Sequence, residues 1–508
     1  MFEALELGRR VKHKKFESAE TELRHRLLQA QFELAERPYP AIVIISGVEG
    51  AGKGTVVHRF NKWMDARLID THAFWDSSDE ENSRPFYWRF WRAMPAKGRI
   101  GVFFGSWYTK PIVDAALGEI DDERLDQELQ RITQMERLLT DDGTLIVKLW
   151  LHISKRAQQK QLAQDIKTKR QNLRIPDTQA AFARLYDSFA VVSERAILKT
   201  DTRHAPWHLI EAEDPNYRDL AAGEALLRAL QEHLYRVPAD EPAEQPLSFI
   251  EAEQPTILDN VPTNAKLSSD RYKRALRKYQ ERLQDLAWKA RKQKVSCVAV
   301  FEGWDAAGKG SAIRRITEAI DPRLYRLVQF AAPTDEERAQ HYLWRFWRQL
   351  ARAGRATLFD RSWYGRVLVE RVEGFARHDE WHRAYAEINR FESQLAAHGL
   401  VVMKFWIHIS KDEQLARFKL RQQTPHKQHK ITEEDWRNRE KWGDYELAVH
   451  DMVTHTSTSH APWTLVAGND KHYARVQILK TYCERLEEVL DRPSNQDGEV
   501  NPNEATDT

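Results

Sequence analysis

Short apolar runs alternate with longer stretches of helical character in the second half of the chain. Cys297 to Glu302 (CVAVFE), Ala356 to Asp360 (ATLFD), Val401 to Ile409 and Trp463 to Val466 read as buried strands. A charged amphipathic segment, Arg271 to Lys292, precedes the first of them, and a glycine loop with a helix from about Ser311 follows it. Short apolar strands separated by helices predict an α/β fold whose parallel sheet is covered on both faces.

The first half repeats this pattern. GVEGAGKG begins at Gly47 and GWDAAGKG at Gly303, so 303 − 47 sets an offset of 256. The same offset carries WRFWR from Trp88 to Trp344, SWY from Ser106 to Ser362, HISK from His152 to His408 and HAPW from His204 to His460. A constant, gapless offset means a duplicated domain rather than a short-period solenoid. Between the copies, Arg236 to Ser269 is rich in proline and acidic residues and lacks periodicity, as a linker does. The expected organisation is therefore a domain over 1–235, a linker over 236–263, a domain over 264–491 and a disordered polar tail over 492–508.

Composition narrows the setting. A formal net charge of +2 in 508 residues does not suggest a nucleic-acid or membrane binder, so any polyanion site has to be local. Two cysteines, Cys297 and Cys483, make no disulfide framework, and no apolar run approaches a membrane span or a secretory signal. A reducing, cytoplasmic location is expected. Leu343, Phe346 and Trp347 recur at helical spacing and are expected in a core rather than a site.

GWDAAGKG follows a strand and opens a helix, the context of a phosphate-cradling P-loop. Gly308 and Gly310 let backbone N–H groups turn inward, and Lys309 would reach a phosphate oxygen. The residue after the lysine, usually a metal-binding Ser or Thr, is Gly310, and Ser311 comes one later. Asp305, an acid inside an anion-binding loop, is then the candidate to help hold a cation. In FDRSWYGR, Asp360 ends a strand where a metal-holding carboxylate sits in P-loop enzymes, and Arg361 and Arg366 follow as phosphate-binding candidates. The run Arg417 to Lys430 contains Arg417, Lys419, Arg421, Lys427 and Lys430 with no acid. Arg417 and Arg421, one turn apart, repel unless an anion bridges them, so the run reads as a lid or a polyphosphate channel, with Pro425 breaking it in two.

Comparison of the copies separates framework from chemistry. Asp305 becomes Glu49, Asp360 becomes Phe104, Arg361 becomes Gly105, Arg417 becomes Gln161, Arg421 becomes Asp165 and Lys441 becomes Leu185. The first copy reads as degenerate, although Lys53, Arg89, Ser106 and Trp107 persist and Lys53 leaves anion binding open there.

FEGWDAAGKG, YLWRFWR, FDRSWYGRVLVERVEGF, HKITEEDWRNREKW and TSTSHAPW together resemble the polyphosphate kinase 2 family, most closely its two-domain members, over nearly the whole chain outside linker and tail. The resemblance implies two tandem thymidylate-kinase-like P-loop domains, each with a helical lid, the C-terminal one active. It implies transfer of the terminal phosphate of polyphosphate to AMP, giving ADP, with magnesium or manganese. In that scheme Asp305 and Asp360 hold the metal and orient the acceptor, Lys309 and Arg361 stabilise the transferring group, and Arg417, Arg421 and Lys430 belong to the lid. The two halves would form an internal pseudo-dimer, with a homo-oligomer as a further option. GMP or ADP is an open alternative acceptor. The competing readings are an ATP-dependent nucleoside monophosphate kinase and a polyphosphate-binding protein without turnover.

Overall fold

The computed structural model describes residues 1–167, 185–235, 247–250, 254–425, 428 and 431–491, without the side chains of 162–167. Two compact units result. The first comprises Met1–Leu247 together with Ala332–Arg348, the second Ser248–Ala331 and Gln349–Thr508. The units are thus not contiguous, because a stretch of the second repeat packs with the first.

Each unit is built on a five-stranded parallel sheet. In the first, β1 (Ala41–Gly47), β2 (Ile69–Ala73), β3 (Ile100–Phe104), β4 (Leu145–His152) and β5 (Trp207–Glu211) lie in the order β2-β3-β1-β4-β5. In the second, β6 (Cys297–Gly303), β7 (Tyr325–Gln329), β8 (Ala356–Asp360), β9 (Val401–His408) and β10 (Trp463–Ala467) repeat it as β7-β8-β6-β9-β10. Four strands of the second unit match the apolar runs. The edge strand β7 was not legible: only Val328 of its five residues is buried, because an edge strand at this position meets water along most of its length.

Every residue of β4 is buried, and the two faces explain why. Val147, Leu149 and Leu151 pack with Phe16, Leu27 and Leu226 of the helices His13–Ala35 and Pro215–Leu234. On the other face Lys148 is fully buried, and its Nζ donates to Glu136 Oε2 at 2.8 Å, to the Tyr108 hydroxyl at 3.1 Å and to the Thr200 carbonyl at 2.8 Å. Trp107 Nε1 and the Tyr108 hydroxyl also donate to Glu136, at 3.1 and 2.7 Å. The second unit repeats this network, with Lys404 on Glu392, Tyr364 and the Thr456 carbonyl, and with Trp363 and Tyr364 on Glu392. A buried charge pair is tolerable only when its remaining donors and acceptors are satisfied, and both copies satisfy them in the same way. The SWY motif is therefore framework in both units.

The recurring WRFWR helices explain the discontinuous unit. Trp91 and Trp347 stack with centroids 5.8 Å apart, and the Gln340 side chain donates to the Met94 carbonyl. Leu343, Phe346 and Trp347 are buried, as their spacing predicted. Cys297 and Cys483 are buried and unpaired by disulfide, and burial pushes both thiols up to about 12. Among the described residues no helix is long and apolar enough to cross a membrane.

Candidate active site

The site of the second unit forms at the carboxyl ends of its central strands. β6 pairs with β8 and with β9 in parallel, Phe301 opposite Asp360 and Gly303 opposite Ile407. The chain runs from β6 to β7 and β8 on one side of it and then crosses to β9 and β10 on the other, and such a switch point is where open α/β sheets bind ligands. Gly303, at φ +146°, must be glycine, because a Cβ there would meet the Ile407 carbonyl oxygen at 2.5 Å. The loop then turns over Gly308 into the helix Lys309–Thr317, which aims free N–H groups at the cavity.

A cavity of about 730 Å³ opens over this loop. It brings together most of the residues expected from the sequence: Asp305, Gly308, Lys309, Gly310 and Ser311 from the loop, and Asp360 and Arg361 from the end of β8. Lys309 Nζ curls back to the Gly303 and Trp304 carbonyls at 2.5 and 3.4 Å, the resting position of a phosphate-binding lysine above its loop. Ser311 Oγ donates to the Gly308 carbonyl at 2.9 Å. Asp305 accepts from Asn438 Nδ2 at 2.9 Å and stands 4.0 Å from Arg361 Nη2. Asp360 accepts from Gln329 Nε2 at 3.4 Å.

Two non-glycine residues adopt left-handed backbone here, Ala306 at φ +62° and Arg361 at φ +66°. Such strain persists where surrounding structure enforces it, and it is concentrated at functional sites. At Arg361 it turns the guanidinium toward Asp305 and toward Glu434 at 4.0 Å.

Arg417 sits differently from the exposed lid cation expected from the sequence. Its side chain is 5% exposed and its five N–H donors are all engaged within the protein. Nε donates to Glu413, Nη1 to the Ala306 and Ala307 carbonyls, and Nη2 to the Gly468 and Asn469 carbonyls. Burial satisfied by five acceptors makes it a brace under the P-loop. Both Arg417 and Arg421 border the cavity, and the push of Arg421 on Arg417 persists but is outweighed by the Glu413 pairing. Arg366 does not line that cavity, and its guanidinium is 3.2 Å from Glu370 and 3.9 Å from Glu380. Lys430 lies outside the described residues. The lid is two helices, Lys411–Gln423 and Glu433–Glu440, with Pro425 just beyond the first, as the break at that proline predicted.

The sequence reading missed several residues. Glu302 is buried just before the loop and accepts from Ser362 Oγ at 2.8 Å. Burial pushes its carboxyl up, against the pull of Lys309, Ser362 and Arg361. Arg314, Lys471 and Arg475 also line the cavity, the last within 3.4 Å of Ser311 Oγ. The constant offset would have flagged all four, since they face Ser46, His58, Pro215 and Asp219 in the first copy.

The first unit forms a different cavity. Its volume is about 360 Å³, and rings, among them Phe74, Phe90, Phe104, Tyr186 and Phe189, line it together with charged side chains such as Glu49, Lys53 and Arg89. Lys53, expected as a possible anion ligand, has its Nζ 3.1 Å from Glu49 Oε2. Glu49, at the Asp305 position, therefore partners the lysine of its own loop.

The family model described as Polyphosphate kinase 2 matches residues 10–237 and 266–493. A polyphosphate:AMP phosphotransferase of Pseudomonas aeruginosa is 47% identical over 494 residues, covering 96% of this chain and 99% of the relative. One of Acinetobacter johnsonii is 39% identical over 468 residues, covering 91% and 94%. A crystal structure of a Pseudomonas aeruginosa polyphosphate kinase 2 superposes with a TM-score of 0.86 at 46% identity, over 97% of this chain and 100% of that one. With both repeats matched and relatives similar from end to end, this chain belongs to the polyphosphate kinase 2 family.

Proposed function

We propose that the chain transfers the terminal phosphoryl group of inorganic polyphosphate to AMP, giving ADP and a chain shorter by one phosphate, and that the second unit does this chemistry. The observation that carries the reading is the cavity over its P-loop, whose wall combines Lys309, Arg314, Arg361, Arg421, Lys471 and Arg475. That many cations around one loop suit a donor that is itself a row of anions. The full-length relatives named polyphosphate:AMP phosphotransferase support AMP as acceptor.

The reaction needs positioning and charge neutralisation more than a base, because the acceptor oxygen is already anionic. An AMP phosphate oxygen attacks the terminal phosphorus. The bond from that phosphorus to the bridging oxygen breaks, and the electron pair stays on the shortened chain. Lys309 and Arg361 supply positive charge where the transferring group passes. Arg417 keeps the loop carbonyls fixed beneath it. Arg314, Lys471 and Arg475 hold the donor chain along the P-loop helix. Asp305, Asp360 and the neighbouring Glu302 are hard oxygen donors of the kind that hold magnesium, and Asp305 and Asp360 would be its ligands. Bound there, magnesium would neutralise phosphate charge. The location proposed is the cytoplasm.

The test is purified protein with magnesium and AMP, supplied in parallel with long-chain polyphosphate or with ATP. ADP formation from polyphosphate is expected. Activity with ATP alone would replace this reading with an ordinary nucleotide kinase, and activity with neither would leave a binding protein.

A further inference from the structure

The cavity of the first unit is not a worn copy of the cavity in the second. Only Val48, Glu49, Lys53, Phe104 and Gly105 of its lining match lining positions of that cavity at the offset of 256, and three substitutions build it. In the second unit Trp304 stacks face to face on Trp442 with centroids 3.7 Å apart. The first unit has Val48 and Tyr186 at those positions, which removes the indole pair. Phe104 stands where Asp360 would place a carboxylate, so a ring faces the space instead of a metal ligand.

Its polar groups argue against a phosphate. Lys53 pairs with Glu49, and Lys110 with Asp114 at 2.7 Å. Arg89 donates to Ser77 Oγ at 2.7 Å and to the Trp75 carbonyl, and lies 3.2 Å from Glu81. Each cation of the lining thus already has a protein acceptor. Among the described residues three buried polar atoms of the lining residues have no hydrogen-bond partner, the donors Arg89 Nε and Trp150 Nε1 and the acceptor Gln158 Oε1; Gln158 is 2% exposed and its Nε2 donates to the Glu49 carbonyl. In the second unit the equivalent Gln414 Oε1 accepts from Arg439 at 3.2 Å, and the first copy has Ala183 in place of that arginine. A buried acceptor without a donor is unusual enough to need a reason.

We propose that this cavity binds an uncharged planar heteroaromatic ring carrying an N–H donor, the chemistry of a free purine base or its nucleoside. The ring stacks among Phe74, Phe90, Phe104 and Phe189, and its N–H donates to Gln158 Oε1. A nucleotide phosphate would have to break the Lys53–Glu49 or Lys110–Asp114 pair to gain a cation there. The proposal rests on the reading of the second unit only in using AMP to block that unit, and the phosphorylation assay reports on that reading separately.

The experiment is equilibrium dialysis of the full chain with labelled adenosine, with and without saturating AMP. About one adenosine per chain should remain bound under AMP. Val48→Trp, which returns the indole of the second unit, should abolish that binding. Gln158→Leu should weaken it about tenfold, one hydrogen bond's worth. Polyphosphate-dependent AMP phosphorylation should be unchanged in both variants. Should Val48→Trp fail to fold, Gln158→Leu decides alone. The proposal is overturned if no adenosine binds, if AMP displaces all of it, or if the folded variants bind it as the parent does.

Discussion

The two repeats keep one framework and differ at one end of it. Glu136, Lys148, Trp107, Tyr108 and Thr200 make the same buried contacts as Glu392, Lys404, Trp363, Tyr364 and Thr456, with matching distances. The P-loop ends diverge. At this end of the second unit the two strained residues, Ala306 and Arg361, correspond to glycines of the first, Gly50 at φ +85° and Gly105 at φ +78°. The turn itself survives in both copies. Only the second holds a side chain in a conformation costing about 1–2 kcal/mol, which fits a side chain kept there for chemistry. At Gly105 a Cβ would meet the Phe74 carbonyl oxygen at 2.4 Å, so the first unit cannot regain an arginine there without moving its backbone.

The brace under the loop has changed hands as well. In the second unit Arg417 reaches the loop from the lid helix. In the first, that position is Gln161, and Arg218 of the helix Pro215–Leu234 lies against Gly52 with Nη1 3.5 Å from the Ala51 carbonyl. Its equivalent in the second unit is Ala474. A loop brace from the lid ties lid position to loop geometry. In the first unit the helix Lys155–Lys167 keeps only the Gln158 contact to the Glu49 carbonyl among the described residues, and the brace comes from the helix Pro215–Leu234.

The comparison can be broken most sharply at Asp360. Asp360→Asn should cut polyphosphate-dependent ADP formation by on the order of a thousandfold or more, since it imposes on the second unit the loss of carboxylate already present at Phe104. Near-parental rates at saturating magnesium would show that the strand-end carboxylate is not what separates the copies.

Arg417→Gln copies Gln161 without supplying Arg218. It strands four loop carbonyls and Glu413, and should destabilise the second unit by about 3 kcal/mol. Denaturant unfolding checks this, and an unchanged midpoint would return Arg417 to the solvated lid.

Acid should distinguish the copies next. His408 is buried beneath Trp304, which donates to its Nδ1 at 3.1 Å, and burial lowers its pKa to about 4. The unfolded state takes up the proton near the ordinary value and the folded state only near 4. Stability is therefore complete above about pH 6.5 and lost as pH falls toward 4, by roughly 2–3 kcal/mol. His152 is also lowered by burial, but Glu6 lies 2.9 Å away and pulls it back up. His408→Asn should flatten the acid limb of unfolding more than His152→Asn does; equal effects would contradict the difference.

Smaller effects belong to the donor path. Arg475→Gln should raise the Michaelis constant for polyphosphate about fivefold and reduce its salt dependence, with kcat little changed, as expected of one phosphate contact. Kinetics at two salt concentrations measure this, and a drop in kcat alone would move Arg475 into the reacting centre. Lys53→Ala should change the rate less than about twofold, because the Glu49 pairing already occupies that lysine. A loss comparable with that of Lys309→Ala would mean the first unit takes part in turnover.

Sequence alone determined the duplication, the alternation of strands and helices, the phosphate-binding loop and the loss of Asp360 and Arg361 from one copy. These are local or periodic properties: a buried strand is a short apolar run, and a loop that wraps phosphate needs glycines at fixed places. The edge strand β7 escaped because exposure erases the apolar signal over Tyr325–Gln329, whereas the other edge, β10, keeps three of its five residues buried and was legible. Arg417 and Arg421 are indistinguishable in sequence, both being cations one turn apart on the same helix. Only the fold sets Arg417 against four backbone carbonyls from two distant loops and leaves Arg421 facing the cavity. Likewise Arg314, Lys471 and Arg475 come from two helices far apart in the chain and become one wall only where both pass the same P-loop. Charge is written in the sequence, but whether a charge is spent on the protein or offered to a ligand depends on which acceptors the fold brings within hydrogen-bonding distance.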